Sequence, residues 1–383
     1  MMNFEEKAKE CTGCGACENI CPQNAIQMEY SDDGFLYPVI GNNCVDCGLC
    51  DAVCYCGEGK DKLFGKKTFK GFAKNNKIRE LSSSGGIFIV LAKYVLKKGG
   101  VVYGASFDNK CKEVRHLSTE SVALEELARS KYVQSRVGNI YRDVADKLQE
   151  NRYVLFSGTP CQIRGLKSYL EKKKIRGKLI TLDFMCHGVP SSTLFKEYLE
   201  QLENEKNKSI NDVTFREKDR GWHTQVTKFY FNDGTICTTD SLKHFYYYLF
   251  LNNYILRDSC YSCTEYCSHQ ADITTADCWE IPKEDDDKGV SLIILNSDLG
   301  EKIFSEISDE LFFEPYKINY EMYAHRYDFN KKKKWKKYYL KHGAKDIERK
   351  FFKRQLFKNN VNERVRHIGG NVKRFLTFQN FER

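Results

Sequence analysis

The chain lacks any uninterrupted apolar run approaching ~18 residues, the length that marks a membrane-spanning helix. Its best candidate, IFIVLAKYVLKK at 87–98, is short and interrupted by lysine. The first residues, MMNFEEKAKECTGC, have neither a basic n-region nor an apolar h-region, so no secretory signal is expected. No repeat is found beyond one duplicated cysteine run, and no recognition motif for nucleic acid accompanies the basic residues. These absences argue for a soluble, cytoplasmic protein with no nucleic-acid partner.

Cysteine is what the chain has in excess: seventeen in 383 residues, too many to serve packing alone. A reducing compartment leaves little use for disulfides, so clustered cysteines read as metal ligands. A hydrophobic fraction of 41% supports a sizeable core, and the length suits roughly two or three domains. Much of the formal charge of +9 sits in the last stretch of the chain.

Cys11, Cys14, Cys17 and Cys21 are spaced x2, x2, x3 with Pro22 behind them. Cys44, Cys47, Cys50 and Cys54 repeat that spacing, with Tyr55 and Cys56 in place of the proline. Three thiolates at such intervals wrap three irons of a cubane, and the fourth reaches across to the other cluster. Two 4Fe–4S clusters are expected, one on Cys11, Cys14, Cys17 and Cys54, the other on Cys44, Cys47, Cys50 and Cys21. Zinc sites would instead present paired two-cysteine knuckles. Gly13, Gly15 and Gly48 suit the tight turns around a cluster. AIQMEY and FLYPVI, on either side of SDDG, read as a hairpin. Residues 1–65 therefore read as an α+β, bacterial-type two-cluster ferredoxin domain, with Cys56 a spare thiol.

From about residue 66 short apolar runs (VVYGASF, YVLFSG, LITLDFM, SLIILN) alternate with helical periodicities (IFIVLAKYVLKK, IYRDVADKLQEN, IRGLKSYLEKKK, TLFKEYLEQLENEK). That alternation predicts an α/β domain over 66–325 with a mainly parallel sheet. The stretch 211–241 interrupts it as antiparallel hairpins, with NDG at 232–234 the clearest turn. Two strand ends run into cysteine-bearing turns, SGTPCQIRG with Cys161 and CHGVPSS with Cys186 and His187. Ligands gather beyond the carboxyl ends of parallel strands. Cys161, Cys186, Cys260 and Cys263 are thus candidates for a third 4Fe–4S cluster, against the alternative of single packing cysteines. The turn Ser83, Ser84, Gly85, Gly86 opens an apolar helix and suits either an anionic phosphate or an ordinary serine cap. Cys111 and Cys237 read as packing or surface thiols.

Five segments, SSSGGIF (82–88), SKYVQS (130–135), SGTPCQIRGL (157–166), CHGVPS (186–191) and CYSC…ADITTADCW (260–279), resemble the coenzyme F420 hydrogenase/dehydrogenase beta-subunit family. The resemblance covers the chain to about residue 300, with a ferredoxin fused in front. It implies an iron–sulfur flavoprotein in which FAD lies beside the third cluster. Lys131, Tyr132, Gln134 and Ser135 then become candidate contacts to flavin or substrate, and His187 a candidate proton donor. The reaction implied is electron exchange between clusters, FAD and an organic hydride acceptor or donor, of the coenzyme F420 type or tied to surface polysaccharide. The alternative is an electron-transfer module without its own substrate, feeding a partner redox protein. DITTADCW departs from the family pattern D-I-T-x-G-D-F-W by carrying Cys278 in place of phenylalanine. Cys267 also closely follows Cys263, so either thiol competes with the assigned ligands. Asp272 and Asp277 match acidic family positions or serve as buried turn groups.

The tail, 326–383, is expected to be helical and basic, with Trp335, Tyr338, Tyr339, Phe351 and Phe352 interleaved among lysines. Such a segment is a solvated helix face, or it docks an acidic redox protein or an anionic membrane surface.

Overall fold

Period-two alternation around SDDG produces the expected hairpin: β1 (Ile26–Tyr30) pairs antiparallel with β2 (Leu36–Ile40), Ile26 opposite Ile40 and Tyr30 opposite Leu36. Short helices at Ala16–Ile20 and Leu49–Val53 flank it. This computed structural model describes residues 7–56, 67–108, 111–240, 245–263, 268–284, 286–323 and 329–342.

The body supplies β3 (Lys67–Ala73), β4 (Val101–Phe107), β5 (Val114–Ser118), β6 (Tyr153–Ser157) and β7 (Lys178–Phe184). It continues with β8 (Ile210–Glu217), β9 (Val226–Phe231), β10 (Ile236–Asp240), β11 (Ile273–Asp277), β12 (Ser291–Leu295) and β13 (Leu311–Pro315). The large sheet has the order β13-β3-β12-β11-β7-β6-β4-β5. Its centre is parallel, through the pairs β4–β6, β6–β7 and β7–β11. The remaining pairs, β11–β12, β12–β3, β3–β13 and β4–β5, are antiparallel. The sheet is therefore mixed rather than mainly parallel. A parallel return needs a crossover, usually a helix; the connection from β11 to β12 carries no helix among the described residues, so β12 comes straight back. As predicted, β8, β9 and β10 form a separate antiparallel sheet, with Gly234 in the β9–β10 turn.

Alternation along the central strands buries both faces. Val102, Leu155, Ile180 and Leu182 face the helices Ile87–Lys97 and Asp298–Ile307 through Leu91, Val95, Ile303 and Phe304. Val101, Tyr103, Val154 and Phe156 face the helices Ile140–Gln149 and Pro160–Lys172. Ala16, Ile20 and Val53 of the N-terminal module belong to that second core. Burial of this shared apolar surface, worth ~25 cal/mol per Å2, seats the cysteine-rich module on the body. The chain up to Lys332 makes one compact unit and the chain from Lys333 a second. A helix spans Phe329–His342, and the basic segment beyond it, with Phe351 and Phe352, lies outside the described residues. Among the described residues no helix is long and apolar enough to cross a membrane.

Candidate functional site

Cys21, Cys44, Cys47 and Cys50 line one recess on the N-terminal module, walled by Ile26 and Ile40 of the hairpin. Cys47 is exposed at this outer end of the chain's cysteine array. Cys11, Cys14, Cys17 and Cys54 form an inner group whose thiols lie within electrostatic reach of one another. Burial pushes the Cys14 thiol up to about 11 and raises that of Cys17 well above its ordinary value. Cys56 is not remote from this group: its thiol is hydrogen-bonded to Cys54, and that contact lowers the Cys54 thiol.

The body contributes a third group. Thr159 caps the helix Pro160–Lys172 in a reciprocal box with Gln162, fixing Cys161 in the first turn with its Sγ 3.0 Å from Thr159 Oγ1. Cys186 follows β7, and the N–H of Gly188 points at its sulfur at 3.3 Å. A 3-10 turn, Asp258–Ser262, carries Cys260, whose sulfur faces the N–H of Val189 at 3.5 Å. The thiols of Cys161, Cys186, Cys260 and Cys263 lie within mutual electrostatic reach, and burial is the main force raising Cys161 and Cys186.

Inner and third groups adjoin. A Cβ added at Gly165, on the Cys161 helix, would stand 3.0 Å from both Cβ and Sγ of Cys14. Tyr55, next to Cys54, donates to the carbonyl oxygen of Cys161 at 2.8 Å. Arg257 donates through Nε to the carbonyl of Cys11 at 2.6 Å and lies three residues before Cys260. Among the described residues no three His, Cys, Asp or Glu side chains converge as they would on a single metal ion. A cubane makes a different demand, since each of its four irons takes one thiolate.

Two family descriptions match this chain. A 4Fe–4S dicluster domain matches residues 10–57, and the carboxyl-terminal part of the coenzyme F420 hydrogenase/dehydrogenase beta subunit matches residues 151–320. An F420 hydrogenase/dehydrogenase beta-subunit-like domain is here fused to an N-terminal 4Fe–4S dicluster domain. The chain is similar to one subunit of the F(420)H(2) dehydrogenase of Methanosarcina mazei, 23% identical over 319 residues, covering 79% of this chain and 83% of that protein. The dicluster domain is similar to a ferredoxin-like protein in the nif region of Sinorhizobium fredii, 41% identical over 46 residues, 12% of this chain and 66% of that protein. Among solved structures, a chain of the F420-reducing nickel–iron hydrogenase complex from Methanosarcina barkeri aligns at 19% identity. It covers 76% of this chain and 94% of that one, with a TM-score of 0.47.

In the body of the chain the second candidate site is a cationic turn. Gly86 opens the helix Ile87–Lys97 with φ 95 and no side-chain cap. The serines are engaged elsewhere: Ser83 Oγ accepts from Ser130 N at 2.8 Å, and Ser84 Oγ donates to the Val290 carbonyl at 3.0 Å. Lys218 donates to the carbonyls of Ser84 (2.8 Å), Arg79 (2.7 Å) and Lys288 (2.7 Å). Arg216 pairs with Asp277 at 2.8 Å and also reaches the hydroxyl of Tyr132 at 3.3 Å. Its guanidinium lies over Trp279, which stacks on Trp222 at 4.9 Å. Among the described residues Lys131 donates to the carbonyls of Glu126 and Ala128. Burial lowers Lys131 to about 7, and burial with the charges of Arg79 and Arg216 lowers Lys218 to about 7. Among the described residues neither ammonium is hydrogen-bonded to a carboxylate.

The SKYVQS string divides between these places. Tyr132 stands beside Arg216 at the cationic turn, while the Lys131 amine is held by the carbonyls of Glu126 and Ala128. Gln134 instead contacts Arg257 and Thr12 beside the inner cysteines, and Ser135 bonds to His116 and Gln162 in the core. His187 packs edge-on against Phe250, and burial lowers its imidazole. Asp272 is structural, accepting from Thr181 (N at 2.9 Å, Oγ1 at 2.6 Å) and Ser297 (2.6 Å). Cys278 is buried with Val290, Leu292 and Ile294, apart from the third cysteine group. Cys111 is buried and Cys237 partly exposed, outside any cysteine group, while Cys267 lies outside the described residues. Sequence reading missed Arg216, Lys218 and Arg257, which sit in an antiparallel insertion and an irregular loop where single basic residues carry no spacing signal.

Proposed function

We propose that this protein is an iron–sulfur electron-transfer protein exchanging electrons with a partner redox protein. In this reading three 4Fe–4S clusters are held by Cys21, Cys44, Cys47 and Cys50, by Cys11, Cys14, Cys17 and Cys54, and by Cys161, Cys186, Cys260 and Cys263. Such clusters, when bound, take up and release single electrons. The observation that carries the reading is the seriation of the three cysteine groups: an outer recess ending at exposed Cys47, an inner group, and a third group packed against it at Gly165 and Tyr55. The donor set fits. Thiols raised by burial are protonated at neutral pH, and metal binding releases those protons. Arg257, fully buried with no carboxylate partner among the described residues, supplies positive charge where four thiolates would gather. N–H groups of Ala25, Gly188 and Val189 aim at Cys21, Cys186 and Cys260, the kind of contact that tunes a cluster.

The cationic turn favours a second layer to this function. Lys218, on the carbonyl of Ser84, and Arg216, within reach of the carbonyl of Ser83, place basic groups beside an uncapped helix start, which suits the phosphates of FAD. Arg216, Trp279 and Tyr132 would flank the bound group. A flavin, when bound, would supply hydride chemistry to or from an organic partner, and reduced F420 is the hydride donor that the name of the similar Methanosarcina mazei dehydrogenase carries.

Iron, acid-labile sulfide and flavin measured on protein purified without oxygen test both layers. About twelve irons per chain support three clusters, and one flavin supports the second layer. About eight irons after reconstitution would remove the third cluster, and absence of flavin would leave the electron-transfer function alone.

A further inference from the structure

The two ferredoxin-type groups are twins in sequence but not in their electrostatic surroundings. Arg257 is completely buried, and each of its hydrogen-bond acceptors is formally neutral before metal loading. Nε donates to the Cys11 carbonyl at 2.6 Å, Nη1 to Gln134 Oε1 at 3.2 Å, and Nη2 to the Leu36 carbonyl at 2.8 Å and to Cys11 Sγ at 3.5 Å. The guanidinium lies 4.1 Å from the ring centroid of Tyr37. A buried charge without a counter-charge is costly. The neighbouring cation Lys332 shows the usual remedy, pairing with Asp258 at 2.5 Å and Asp33 at 3.7 Å. Arg257 has no such pair among the described residues, and its sulfur contact is to an inner-group cysteine. The outer recess has no buried arginine in its lining and includes Asp46. Lys7 reaches toward the inner group but is bonded to Asp51 at 2.7 Å on the exposed surface, where its charge is screened.

We infer that Arg257 is a positioning residue that raises the reduction potential of the inner cluster relative to the outer one by acting as its fixed counter-charge. Reduction adds negative charge, burial disfavours that charge, and a fixed cation offsets the penalty for the inner group, and to a lesser degree for Cys260 of the third group, but not for the outer recess. This rests on the cluster assignment proposed above. The guanidinium fork also clamps the module to the body, so a purely structural role has to be separated from the electrostatic one.

The test uses the full chain purified without oxygen: wild type, Arg257→Gln, Arg257→Lys and Gln134→Glu. Iron and sulfide are counted first, then the clusters are titrated potentiometrically with EPR detection. A Cys54→Ser variant assigns the inner signal by its loss. Arg257→Gln with full iron is expected to show at least a tenfold fall in the equilibrium constant for reducing the inner cluster, about 59 mV for one electron. The outer cluster should not move, and Arg257→Lys should stay within about threefold of wild type. Gln134→Glu, which puts a carboxylate on the guanidinium while keeping it in place, should lower the inner potential in the same direction. If Arg257→Gln loses the inner irons, Gln134→Glu decides the question. Unmoved inner potentials in a loaded variant, or equal shifts of both ferredoxin-type clusters, overturn the inference. A wild type without cluster iron overturns the functional reading itself and is seen before any variant is compared.

Discussion

Tyr55 donates its phenolic hydrogen to the carbonyl oxygen of Cys161 at 2.8 Å, joining the residue after one candidate ligand to another 106 positions along the chain. Its hydroxyl also lies 2.9 Å from Thr12 Oγ1, and Arg164 sits over its ring at 4.1 Å. One side chain thus ties the inner cysteine group to the third.

Tyr55→Phe should keep the ring under Arg164 and lose only the hydroxyl contacts. The expected cost is about 0.5–1.5 kcal/mol. Tyr55→Ala should cost roughly 3–5 kcal/mol, because it also empties a buried aromatic site. Urea unfolding of the iron-loaded chain distinguishes the two, and equal stability of Tyr55→Phe and wild type would show the bridge to be idle.

Cys54 and Cys56 are hydrogen-bonded neighbours, yet only Cys54 fits the crossed ligand pattern. Cys54→Ser is expected to reduce iron by about four atoms per chain, and Cys56→Ser to leave the count unchanged. Full iron in Cys54→Ser together with loss in Cys56→Ser would reverse the assignment.

That Cys54 lies with Cys11, Cys14 and Cys17, and Cys21 with Cys44, Cys47 and Cys50, was legible because the spacing of the two runs is a local pattern. The four strands that carry short apolar runs, β4, β6, β7 and β12, were legible for a similar reason. β3 was not, since KTFKGFA places Gly71 where the backbone of Phe312 comes within 2.6 Å of a built Cβ. β11 reads ITTAD, and its buried Thr274 is satisfied by Asp183, so its burial leaves no apolar signature. β5 and β13 were likewise unread, and because β3, β5 and β13 pair only antiparallel and β11 pairs antiparallel with β12, missing these strands is why the sheet looked mainly parallel. Arg257 illustrates the harder case: a lone arginine in RDSCYSC gains meaning only when Cys11, Leu36 and Gln134 are brought to it.

Asp277 balances an arginine that is almost fully buried, with 3% of its side chain exposed. Asp277→Asn removes the negative partner and leaves the Arg216 charge in place, which should destabilise the fold by about 3–5 kcal/mol. The double variant Asp277→Asn, Arg216→Met should recover part of that loss, because the uncompensated charge is gone. Additive losses in a double-mutant cycle would show that the two side chains do not act as a pair.

His116 gives the chain a defined acid sensitivity. Its ring is buried against Phe156, Nε2 faces the Ser157 carbonyl at 3.1 Å and Nδ1 faces Ser135 Oγ at 3.0 Å. Nε2 therefore carries the hydrogen and Nδ1 accepts, which describes the neutral ring. Burial lowers the imidazole from 6.5 to about 4. Above pH ~6.5 neither folded nor unfolded chain is protonated here, so this group leaves stability independent of pH. Between pH ~6.5 and ~4 the unfolded chain binds a proton that the folded chain refuses, so stability falls as pH falls. The loss should approach about 3 kcal/mol near pH 4, on the scale of 1.36 kcal/mol per pKa unit. His116→Gln should be less stable at pH 7.5, having lost a fitted ring, but its stability should decline less between pH 7 and pH 4.5. The comparison requires urea midpoints and m-values for both proteins across that range, and parallel declines would show that protons bind elsewhere.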